Sequence, residues 1–164
     1  MNELQSVQMN VIQTMTSPNP FALIVSEAEA RVNAMAVSWW TYVSNRPPMI
    51  AAALSQKSFS GETILQSNRF TLCLPSSDIA EAAFSCGCVS GRQTDKLKEF
   101  NLIPQPLVEG FPPALKGCGA AILCSVATTE ITGDHILFIA NAEHVFADPQ
   151  ARVLHAYAGY RELK

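Results

Sequence analysis

The chain has 164 residues, 48% of them hydrophobic and only 15% charged, with 11 Lys and Arg against 14 Asp and Glu for a net charge of -3. That length is about one domain's worth of chain, and charge well below the roughly 25% of an average soluble domain implies surface buried against a partner or a large apolar ligand. The slightly acidic balance excludes a nucleic-acid binder, which must neutralise phosphates with Lys and Arg, and apolar runs over the whole length exclude disorder. No stretch reaches the ~18 apolar residues of a membrane helix. The opening MNELQSVQMNVIQTM lacks the basic flank and apolar block of a secretory signal. The expectation is a cytoplasmic single domain over residues 1–164, with no membrane and no nucleic acid as partner.

In chain order, Phe21 to Val25 is an apolar run introduced by Pro18 and Pro20. Asn33 to Ser44 is rich in β-formers and uncharged, Pro47-Pro48 breaks the chain, and Met49 to Ser55 is apolar again. Short apolar runs between breakers predict strands covered on both faces. Ser60 to Ser67 reads as a short helix with Ser60 as N-cap. Phe70 to Leu74 is strand-like, and Asp78 is placed to cap a second helix through Ser85. Pro104, Pro106, Pro112 and Pro113 mark an irregular stretch. Gly117 to Thr129 is uncharged, and Thr132-Gly133-Asp134 is a turn leading into the run His135 to Ala140, predicting a hairpin with a slightly longer loop. Many short strands and two small helices predict a mainly β fold, a β-barrel decorated by helices.

Five cysteines, an odd number, favour free thiols over a disulfide framework. Cys86-Gly-Cys88 is spaced C-x-C, unlike the C-x-x-C of zinc and thioredoxin-like sites, so no metal is expected, with a redox or metal role for the pair as the rival reading. Four segments carry unusual residue types. In Asn33 to Trp39, small residues allow a flat ligand near the backbone while Asn33 and Ser38 offer polar handles, although on this segment alone a plain core strand is the stronger reading. Ser55 to Ser60 gathers three hydroxyls, the Lys57 ammonium and a helix N-terminus, which suits an anion or an ordinary capped turn. Cys86 to Lys96 sets two glycines beside Arg92 and Lys96, suiting a phosphate or a solvated loop between helices. Gly133-Asp134-His135 is a turn delivering a histidine onto a strand.

Taken together and in this order, the four segments resemble the flavin reductase-like family, whose pattern is N-x-M-x-x-S-W, a Pro-Pro strand running into a hydroxyl-rich turn, S-G-R-x-x-D-K and G-D-H. Here these stand at Asn33 to Trp39, Pro47-Pro48 to Ser60, Ser90 to Lys96 and Gly133 to His135, and the resemblance runs from about Phe21 to Tyr160. It implies an FMN-binding split β-barrel. Asn33, Met35, Ala36, Val37, Ser38 and Trp39 would line the isoalloxazine and ribityl; Ser55, Lys57, Ser58, Ser60, Arg92 and Lys96 would serve the phosphate end. Tyr160 would cover the ring, and His135 would position substrate or supply protons. The implied activity is an oxidoreductase using NADH or NADPH to reduce flavin or a further acceptor, as a homodimer. The alternatives are a flavoredoxin-type electron carrier with a protein partner, and a flavin-binding module without catalysis.

Overall fold

In the computed structural model, residues 19–156 and 160–162 are described, Asn19 and the last three by their backbone alone. The fold is mainly β with a few short helices. Strands β1 (Asn19–Pro20), β2 (Ala22–Ala28), β3 (Arg31–Val37), β4 (Trp40–Asn45) and β5 (Pro48–Ser55) lead to helix α1 (Phe59–Ser67) and β6 (Arg69–Pro75). A 3-10 turn (Ser77–Ile79), α2 (Ala80–Cys88), α3 (Lys96–Glu99), β7 (Pro104–Gln105) and β8 (Ala114–Leu115) follow. The long strands β9 (Cys118–Thr132) and β10 (His135–Ala147) precede β11 (Leu154–Ala156) and β12 (Tyr160–Glu162).

Seven strands form one antiparallel sheet in the order β3-β2-β6-β9-β10-β5-β4. Laid flat, its two edges would stand about 29 Å apart at ~4.8 Å per strand. Yet the edge strands β3 and β4 are consecutive, joined only by Ser38 and Trp39, a link that spans at most about 11 Å between flanking Cα atoms. The sheet therefore curls until its edges nearly meet, which makes a barrel split between β3 and β4.

The same curl explains the uncharged runs. Side chains alternate across a strand, and on β2 Ala22 and Ile24 enter the barrel interior while Leu23 and Val25 join a second core outside it. On β6 and β9, Phe70, Leu72, Ile122 and Cys124 face inward, and Cys73, Ala121 and Leu123 face outward. The outer core is roofed by α2 through Ala83 and Cys86 and by the 102–115 segment. With both faces covered, these strands have no reason to alternate polar and apolar residues.

Three local expectations are corrected. The N-cap of the first helix is Ser58, not Ser60: Ser58 has extended dihedrals (φ -74, ψ 135) and its Oγ accepts from the Gly61 amide. Starting two residues earlier turns Ser60 inward, where it is buried. Asp78 does not cap the second helix; Ser76 caps the intervening 3-10 turn by accepting from the Asp78 amide. The β9–β10 hairpin closes with two residues rather than a longer loop, and the positive φ of Gly133 (+60°) at the first loop position is that of a type II′ turn.

Candidate functional site

A cleft of about 260 Å³ opens where the middle of β3, the start of α1 and the loop after α2 converge. From β3 come Asn33, Met35 and Ala36; from the start of α1 come Lys57, Ser58, Phe59 and Ser60. The opposite wall is Cys86, Gly87, Val89, Ser90 and Gly91, with Lys96 behind it. No carboxylate lines it. A helix leaves its first amides without intrahelical partners. The Ser58 hydroxyl takes only the Gly61 amide, so those of Phe59 and Ser60 remain as donors at the positive end of the helix dipole. Amides, hydroxyls and ammonium groups without an opposing carboxylate suit an anionic group such as a phosphate monoester.

Asn33 braces the floor. Its side chain is buried, and Nδ2 donates to Ser60 Oγ at 2.8 Å. Gly91 lies so close over the carboxamide that a Cβ there would stand 2.1 Å from Asn33 Oδ1, so this position of the loop admits no side chain. Lys96 is 3% exposed, and its Nζ donates to the Cys86 carbonyl at 2.7 Å in the last turn of α2. There it satisfies an acceptor the helix leaves orphaned. Burial pulls its pKa down from the ordinary lysine value. Burial likewise pushes the Cys86 thiol up to about 11, so it stands in the wall as a neutral group.

Seven of the fourteen residues singled out from the sequence thus line one cleft: Asn33, Met35, Ala36, Lys57, Ser58, Ser60 and Lys96. Others lie elsewhere. The Val37 side chain is committed to the barrel interior. Ser55 is exposed and its Oγ accepts from the Lys57 amide at 3.3 Å. Ser38 and Trp39 form the link across the split of the barrel, with the Trp39 carbonyl accepting from the Ala53 amide at 2.9 Å. Arg92 turns to Glu62, with which it forms an ion pair, and stands 5.7 Å from the centre of the Phe59 ring. The backbone of Tyr160 opens β12, and its side chain lies outside the described residues.

His135 and Trp39 make a second group beside the cleft, with ring centroids 4.9 Å apart. His135 Nδ1 lies 2.6 Å from Asp134 Oδ1, and this hydrogen bond holds the Asp134 carboxyl below its usual range. The turn is tied to the cleft's own loop. The Gln56 amide donates to the Asp134 carbonyl at 3.0 Å, and Gln56 Nε2 to the Gly133 carbonyl at 2.7 Å. Phe59 and Val89 are wall residues to which the sequence pattern assigned no role. Phe59 lay between two candidate serines and just outside the expected helix, whereas in the structure it opens the first turn. All five cysteines are free thiols, with Cys86 buried and Cys88 exposed. Among the described residues no group of three His, Cys, Asp or Glu side chains gathers as for a metal, and no helix is long and apolar enough to cross a membrane.

The sequence matches the flavin reductase like domain over residues 14–164. An uncharacterized protein of Pyrococcus abyssi is 31% identical over 117 residues, 71% of this chain and 67% of that protein. Among solved structures, a flavoredoxin from Methanosarcina acetivorans superposes with a TM-score of 0.84 at 21% identity, covering 99% of this chain and 92% of that one. An FMN-binding protein from Thermus thermophilus, solved with 1-cyclohex-2-enone, gives 0.85 at 24% identity, covering 99% and 96%. The NADH:FAD oxidoreductase SgcE6 of Streptomyces globisporus gives 0.85 at 15%, covering 100% and 99%.

Proposed function

The chain belongs to the flavin reductase-like domain family, and from that premise and the cleft we infer that it binds FMN and acts as an oxidoreductase fed by NADH or NADPH. The observation that carries the reading is the carboxylate-free cleft at the start of α1, where the Phe59 and Ser60 amides, the Ser58 and Ser60 hydroxyls and Lys57 converge. These groups hold the phosphate and ribityl. Asn33, fixed by Ser60 and covered by Gly91, holds the floor of the site in place, and Met35 and Ala36 supply small and polarisable surface for the ring. Bound FMN supplies the redox chemistry, accepting two electrons from a donor and releasing them singly or together. At about 260 Å³ the cleft is below the roughly 300–1,000 Å³ of ordinary small-molecule pockets, which fits the tail of the cofactor better than all of it. The ring then lies toward Trp39 and His135, and the Asp134 carboxylate fixes the His135 imidazole to deliver or hold a proton there. Two copies associate as a homodimer; the uncovered edge strand β4, with Tyr42 and Val43 exposed beside Trp39, supports this reading.

The test is anaerobic addition of NADH, then NADPH, to the FMN-loaded protein while following the flavin absorption band. Bleaching by either is the expected result and identifies the donor. A band that persists with both yet bleaches with dithionite replaces this reading with the electron carrier, whose partner is another protein.

A further inference from the structure

Arg31 is absent from the cleft lining, yet both walls close on it. At the start of β3, its Nη2 donates to the Gly91 carbonyl on one wall. Its guanidinium lies over the ring of Phe59 on the other wall, with Cζ 4.7 Å from the centroid. From Gly91 the chain of contacts runs down to Asn33, whose carboxamide is packed against the glycine. It continues through the Asn33–Ser60 hydrogen bond of 2.8 Å to the first turn of α1. Ser60 adjoins Phe59, and Phe59 lies under Arg31 again. The circuit is closed, and it passes through β3, the 89–91 loop and the start of α1.

We propose that Arg31 is the positioning residue that locks the 89–91 loop and the start of α1 onto one another, so that cofactor affinity depends on a guanidinium outside the cleft. The proposal rests on the FMN reading for its ligand and on the circuit for its mechanism. The shape of the side chain matters. A guanidinium donates in its plane while stacking through its face, so one group serves both walls at once. An ammonium carries the same charge but lacks the plane, and could satisfy the Gly91 carbonyl or the Phe59 ring in turn. Arg92 reaches the same ring at 5.7 Å but is held by Glu62 and has no bond to the loop carbonyl, so it cannot replace Arg31.

The test compares the wild-type chain with R31K and R31Q by three readouts. Thermal melting shows whether each variant is folded. Trypsin cleavage after Arg92 in the cofactor-free protein, read as the mass of fragment 1–92, reports how firmly the loop is held. Quenching of flavin fluorescence gives the FMN dissociation constant. Both variants are expected to fold, to be cut after Arg92 about tenfold faster, and to bind FMN about tenfold more weakly, or ~1.4 kcal/mol. Wild-type behaviour of R31K in both readouts would overturn the proposal, because charge alone would then suffice; so would unchanged cleavage in R31Q. F59L removes the ring while leaving Arg31 intact. It must loosen the same loop even if an Arg31 variant fails to fold, and an undisturbed loop in F59L refutes the circuit. A wild-type chain that binds no FMN defeats the cofactor reading but leaves the cleavage comparison to decide this one.

Discussion

Replacing Gly91 with alanine tests the tightest contact in the cleft. The added Cβ would stand 2.1 Å from Asn33 Oδ1 and 2.7 Å from Cγ, distances at which one group must move. Gly91 and Asn33 are both buried, and overpacking of this kind costs about 1–3 kcal/mol. If Asn33 swings aside, its Nδ2 and the Ser60 hydroxyl lose their 2.8 Å bond, at about 1–3 kcal/mol for buried groups left unpaired. A combined loss of about 3 kcal/mol lowers the melting temperature of a domain this size by about 6–12 °C. Differential scanning fluorimetry measures the shift directly. The control is the pair N33A and N33A/G91A. With the carboxamide gone, the alanine at 91 should cost less than about 1 kcal/mol, the difference being the coupling between the two residues. G133A supplies a baseline, since nothing lies within 4 Å of its added Cβ and only the backbone conformation of the turn matters, at about 1–3 kcal/mol. A G91A protein melting within about 2 °C of wild type, or one equally destabilised in the N33A background, would refute the reasoning.

K96M should destabilise the chain by about 1–3 kcal/mol, because the Cys86 carbonyl loses its buried partner; urea unfolding at neutral pH checks this. E62Q should narrow its stability gap to wild type as pH falls. Hydrogen-bonded to Arg92, the Glu62 carboxyl has a folded-state pKa lowered from 4.5, so the unfolded chain binds protons first. Its contribution is therefore present above the unfolded pKa and lost as pH drops through the folded one; melting curves from neutral pH to pH 3 decide, and a constant gap would count against the ion pair. Thiol labelling of the native protein at pH 8 should mark the exposed Cys88 first and the half-buried Cys118 next. Cys73, Cys86 and Cys124 should react only after denaturation, since burial raises Cys86 to about 11 and Cys124 to about 12 and Cys73 is wholly enclosed; peptide mapping identifies the order.

Much of this was legible in the residues because the barrel covers both faces of its strands and leaves long uncharged runs that breakers divide. The cleft was legible where local chemistry coincided with chain order: Lys57, Ser58 and Ser60 fall together because a helix start gathers them. Legibility fell short where a side chain is used by something distant in sequence. Lys96 lines the cleft as its sequence suggested, but its burial and its bond to the Cys86 carbonyl, ten residues earlier, carried no signal. Arg92 looks free until Glu62, thirty residues earlier, is seen to pair with it. Arg31 carried no signal at all, since its partners Phe59 and Gly91 stand far along the chain, at a helix start and in a loop. The start of the first helix was misread because both Ser58 and Ser60 can cap; Ser58 does so, while the Ser60 hydroxyl is taken by Asn33 on the neighbouring strand.

The central claim is that the carboxylate-free cleft at the start of α1 holds the phosphate end of FMN. Titrating the cofactor-free protein with FMN and with riboflavin, and reading flavin fluorescence, tests it most directly because the two ligands differ only in that phosphate. Charge-assisted hydrogen bonds of about 1.5–3 kcal/mol predict that FMN binds roughly 10- to 100-fold more tightly than riboflavin, an advantage that S60A reduces. Equal affinities for the two, unchanged by S60A, would contradict the account.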